Sequence, residues 1–112
     1  MTEGLWTIKF ISSLNIWGGG VLVLIEGGRI LGGDTGYYYI GTYKHQKDVI
    51  EGKADIIRFD PQSVSVFGKM PKFNIEFKGE LKNNESEFSA TATSRDFPGL
   101  SLRIEGNKKE DL

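Results

Sequence analysis

The sequence predicts an all-β fold: eight short antiparallel strands closed into an up-and-down barrel, with little or no helix. Three observations carry that expectation. Apolar residues recur at every second position in segment after segment, the period of a strand with one buried face. Turn-forming residues, above all 15 glycines spread between these segments, punctuate the chain at short intervals. No window of ordinary helix length gathers its apolar residues at a helical period. Closure is expected because an open sheet would leave strand edges unpaired.

Taken in order, Trp6-Thr7-Ile8-Lys9-Phe10 alternates apolar and polar residues and forms the first strand. The run Val21 to Ile25 is apolar on both faces, so it is covered on both sides or lies in an interface. Gly27-Gly28 supplies positive φ for a tight hairpin into Arg29-Ile30-Leu31. Tyr37 to Lys44 is rich in aromatic and β-branched residues and makes the fourth strand. Val49 to Phe59 is the fifth, with Ile50, Gly52, Ala54 and Ile56 on one face. The sixth is the clearest: Phe73, Ile75, Phe77, Gly79 and Leu81 face one way, and Asn74, Glu76, Lys78, Glu80 and Lys82 the other.

Asn83-Asn84 is expected to form a two-residue turn. The seventh strand turns Phe88, Ala90 and Ala92 inward, and Pro98-Gly99 leads into an eighth carrying Leu100, Leu102 and Ile104. The irregular stretch from Asp60 to Lys72 is expected to cover one end of the core. Residues 1–106 form one domain, and the charged residues 107–112 are expected to be a disordered tail.

The totals bound the function. A chain of 112 residues supports a single core, and 38% apolar with 26% charged residues marks a folded domain. The net charge is −1 with both signs scattered, which argues against nucleic acid as a partner. Cysteine is absent, excluding disulfides, cysteine zinc sites and thiol catalysis, and fitting a cytoplasmic location. The start, Met1-Thr2-Glu3-Gly4, has no signal-peptide character, and the longest apolar run is far too short to cross a bilayer.

Asp34-Thr35-Gly36 matches the catalytic tripeptide of aspartic proteases. Those enzymes need two carboxylates sharing a proton, an Ala or Ser after the tripeptide and large aliphatics before it. Here Tyr37 follows and Gly32-Gly33 precede, so Asp34 is expected to fix a turn by accepting backbone N–H bonds. His45, the single histidine, has no second histidine or cysteine to join it in a metal site. Gly18-Gly19-Gly20 lacks the Lys-Ser/Thr of a phosphate loop. The expectation is a non-enzymatic protein with no catalytic residues, metal or cofactor.

Two kinds of site remain. The inward positions mix large residues (Trp6, Phe10, Phe73, Phe77) with small ones (Gly52, Ala54, Gly79, Ala90, Ala92). That mixture fits a tapered packed core or a small apolar cavity, and the packed core is expected because interiors are close-packed by default. If the interior is hollow, Trp6, Ile8, Phe10, Phe73, Phe77 and Phe88 line it as a site for a small apolar ligand. Ile16 and Trp17, in the first hairpin loop, and Tyr38, on a strand with tyrosines on both faces, are candidates for protein contact.

The ordered set G-L-W-T-I-K-F, G-G-G-V-L-V-L, G-R-I-L-G-G-D, Y-Y-Y-I-G-T-Y and S-V-F-G, spread from Gly4 to about Gly79, resembles the GrlR family. These are small bacterial proteins named after a negative regulator of type III secretion genes. The resemblance implies a lipocalin-like eight-stranded barrel, usually a homodimer. It also implies that Gly32, Gly33 and Asp34 belong to a shared structural turn. The named regulator captures a transcriptional activator, with an acidic hairpin loop implicated. At the matching loop this chain carries Lys44-His45-Gln46-Lys47-Asp48, which is mostly basic and would repel a basic partner. The leading expectation is thus a regulator acting by protein binding, with Lys44 to Asp48 tuning specificity; the alternative is a carrier or sensor of a small apolar ligand.

Overall fold

A computed structural model describes residues 2–112 as a closed, all-antiparallel barrel of eight strands. These are β1 (Gly4–Ser12), β2 (Trp17–Ile25), β3 (Arg29–Gly33), β4 (Tyr37–Gln46), β5 (Val49–Arg58), β6 (Lys72–Lys82), β7 (Glu87–Thr93) and β8 (Ser101–Glu110). Each strand pairs with the next in sequence, and β8 returns to β1. Among the described residues no helix is long and apolar enough to cross a membrane.

The period-two pattern sorts the side chains as expected. On β6, Phe73, Ile75 and Leu81 are buried, whereas Lys72, Glu76, Lys78 and Glu80 are exposed. On β4, Tyr37 and Tyr39 point inward and Tyr38 outward. The inward tyrosines satisfy their hydroxyls before burial: Tyr37 donates to the Met70 carbonyl at 2.6 Å and Tyr43 to the Ile25 carbonyl at 3.1 Å.

Up-and-down connectivity gives the barrel two distinct ends. One holds the β1–β2, β3–β4, β5–β6 and β7–β8 connections; the other holds the remaining three and both termini. The terminal end is sealed. Trp6 is fully buried there, packs against Phe88 at 5.1 Å between ring centroids, and donates its indole N–H to the Thr2 carbonyl at 3.0 Å. At the opposite end the β5–β6 connection folds over the core, held by an isolated bridge between Ser65 and Gly68. Its own Val66 and Phe67 are buried, Phe67 against Phe73 at 5.2 Å.

Three local expectations are corrected. Residues 107–110 belong to β8 rather than to a disordered tail, with Trp6 opposite Lys108 and Leu5 opposite Glu110. The reason is closure: β1 needs a partner along its length, and the β8 backbone supplies it while Lys109 and Glu110 stay exposed. Lys108 also lies over the Trp6 ring, 5.7 Å from its centroid. The β6–β7 turn is a four-residue loop, Asn83 to Ser86, rather than a two-residue one. Asn83, Asn84 and Glu85 all take positive φ in it, and Glu85 is held by the Thr2 hydroxyl at 2.6 Å. Trp17, finally, is the first residue of β2 instead of lying in the loop.

Candidate functional site

The interior is not filled. A cavity of about 310 Å³ lies along the barrel, and all eight strands contribute to its wall. This overturns the expectation of a packed core. Trp6 packs on Phe88 at the sealed end and Phe67 on Phe73 near the other, while Phe10 and Phe77 also line the cavity between. Leu22, Ile30, Ile75 and Ile104 supply much of the aliphatic wall together with Ala54, the register partner of Ile75.

The cavity comes to the surface at the end away from the termini. Ile16 and Trp17 stand on its rim, 40% and 68% exposed, together with Thr35, Ser63 and Val64. The rim exists because β3 stops at Gly33 opposite Val21, so Trp17 to Gly20 pair with β1 alone. The glycines there are needed for close approach. A Cβ on Gly18 would fall 2.4 Å from the Phe10 ring, and one on Gly20 would fall 2.7 Å from the Tyr39 hydroxyl.

Among the described residues Asp34 is the one acidic residue that lines the cavity, half-buried in the β3–β4 turn. Its Oδ1 accepts the backbone N–H groups of Gly36 and Tyr37, each at 2.9 Å, which makes it the turn-fixing residue. Its Oδ2 accepts the Tyr39 hydroxyl at 2.5 Å. Burial, then that hydrogen bond, then the nearby negative charge push the Tyr39 hydroxyl far above the ordinary tyrosine range. Tyr39 therefore stays the donor, and Asp34 the acceptor. The Ser63 hydroxyl sits beside the same turn, where a Cβ on Gly36 would meet it at 2.1 Å. The polar groups of the cavity are thus gathered at its rim.

Of the six residues proposed from sequence as interior, Ile8, Phe10, Phe73, Phe77 and Phe88 line the cavity, whereas Trp6 lies beyond its sealed end. The proposed contact residues are not brought together. Ile16 and Trp17 are on the rim, and Tyr38 is on the outer wall, 6.4 Å from the Phe59 ring. Lys44, His45, Gln46, Lys47 and Asp48 end β4 and turn into β5 at the opposite end of the barrel. His45 is drawn into a cluster there, its Nδ1 3.1 Å from the Thr2 hydroxyl and its Nε2 3.3 Å from Glu85. Gly32 and Gly33 close β3, Gly32 packing directly on the β2 backbone.

Sequence reasoning missed Tyr39 and Ser63 as site residues. Alternation from Tyr37 marks Tyr39 as inward, but its bond to Asp34 depends on how the turn folds back. Among the described residues no group of three His, Cys, Asp or Glu side chains is placed to hold a metal ion. No protein-family model matches the chain, and no curated protein matches it in sequence. What the molecule does is therefore read from the barrel itself.

Proposed function

We propose that this barrel is a non-enzymatic carrier or sensor that binds a small apolar ligand in its interior. One observation carries the reading: an apolar cavity of about 310 Å³, open at one end and walled by every strand. Volumes from about 300 Å³ upward are those of ordinary ligand pockets, and small eight-stranded barrels are wide enough for one such guest. The lack of cysteine fits a reducing, cytoplasmic setting for this role.

Native mass spectrometry of protein taken directly from cells tests the reading. A copurifying apolar adduct, or saturable uptake of added octan-1-ol by the clean protein, is expected. Trp17 on the rim should report uptake as a change in emission that is lost in Trp17→Phe. A clean mass together with no saturable uptake ends the proposal.

A second reading, protein binding, is favoured by a separate observation. On the outer wall, Val21, Tyr38 and Ile40 are exposed, and Val23 and Leu31 lie in register with them across β2, β3 and β4. Contiguous apolar residues on an outer face are what a contact surface needs. Homodimerisation through this face, and capture of a transcriptional regulator as the GrlR-like motifs imply, belong to this reading. Under it, Ile40→Glu shifts the sedimenting species from dimer to monomer. A wild-type protein that sediments as a monomer at every concentration rules out the dimer.

A further inference from the structure

Asp34 is unusual for a turn residue, because it also lines an apolar cavity. Among the described residues no lysine, arginine or histidine lies within ion-pair distance of it. Its protein donors are the two backbone N–H groups and the Tyr39 hydroxyl, and the half-buried carboxylate otherwise meets solvent. An ionised carboxylate offers about four acceptor sites, so one remains after these three donors. Both amides go to Oδ1, which leaves the free site on Oδ2, beside the Tyr39 hydroxyl oxygen.

From this we infer that the cavity selects an apolar amine, whose protonated nitrogen is held at the rim by Asp34 Oδ2 while its hydrocarbon body fills the barrel. The inference rests on the ligand-binding reading above and names the class of ligand. An ammonium group brings up to three donors and a full positive charge, so it fills the remaining acceptor site in place of water and adds a counter-charge that no protein side chain there supplies. Because Asp34 sits at the rim, a nitrogen bonded to it keeps part of its hydration, and Thr35 and Ser63 share that rim. A fatty carboxylate would face like charge at the same point. A neutral alcohol of equal length would gain the apolar burial and one ordinary hydrogen bond.

Isothermal titration of the full chain at neutral pH with octylamine, octan-1-ol and octanoate separates these cases, repeated on Asp34→Asn. Asparagine can still accept the turn's N–H bonds but carries no charge. Wild-type protein should bind octylamine about tenfold or more tighter than octan-1-ol, as a charge-assisted bond warrants. Octanoate should bind weakest. In Asp34→Asn the amine should lose its advantage while octan-1-ol binding persists. Should Asp34→Asn fail to fold, wild-type amide shifts decide: Gly36 and Tyr37 should move further at saturation with octylamine than with octan-1-ol, and equal movement overturns the inference. Equal binding of amine and alcohol to the wild type, or an amine preference that survives in Asp34→Asn, overturns the inference and leaves the cavity reading standing. Binding of none of the three overturns both.

Discussion

Tyr39 joins the fold to the site through one bond. Its ring is buried in the wall, and its hydroxyl holds the Asp34 side chain at the rim. Tyr39→Phe should therefore lower stability by about 1–2 kcal/mol, because Oδ2 then loses its protein donor; urea denaturation measures this. The same hydroxyl sets an alkaline limit. Folding raises its pKa, so the bond's full contribution is present below the ordinary tyrosine value of 10.0 and is lost as pH rises above it. Above that value the unfolded chain gives up a proton that the folded chain keeps. Tyr43, raised by burial and by the charges of Glu3 and Glu26, acts in the same direction. Urea midpoints on either side of pH 10 should fall on the alkaline side, and by less in Tyr39→Phe. An identical fall in both proteins would detach the effect from Tyr39.

Among the elements, β8 is the one whose length matters most. Its last residues pair with β1, and Lys108 covers the sealed Trp6. Deleting residues 107–112 should lower the melting temperature by several degrees and shift Trp6 emission to longer wavelength; a disordered tail could be removed without either effect. The strand cores were legible from sequence because alternation such as Phe73-Asn74-Ile75-Glu76-Phe77 is set by burial alone. The ends were not. Asn107 to Glu110 carry no apolar signal, and their pairing follows from what β1 requires rather than from their own composition. The β6–β7 loop is similar: Asn83-Asn84 announces a turn, but its length depends on Glu85 meeting Thr2, 83 residues away in the chain. Asp34 was legible as a turn former from its glycine neighbours, whereas its place in a cavity wall needed the register that brings Tyr39 back to it.

At the scale of the whole molecule, the question is whether the barrel is hollow. Local patterning could not decide it, since Ala54 or Gly52 on an inward face is compatible with either a filled or an empty centre. The distinction lies in whether side chains from facing strands meet across the centre, and here they leave a cavity of about 310 Å³. Ala54, on the cavity wall, makes this measurable. Ala54→Leu should raise stability by about 0.5–2 kcal/mol as it fills vacant space, and should weaken octan-1-ol binding. In a packed core the same change would destabilise by about 1–3 kcal/mol.

The most direct measurement is a methyl-resolved NMR titration of the wild-type protein with octan-1-ol. Inward methyls of Leu22, Ile30, Ile75 and Ile104 should shift saturably, while the outward methyls of Val23 and Ile40 stay in place. Shifts confined to the outward methyls, or no saturable shift at all, would contradict a ligand-binding interior.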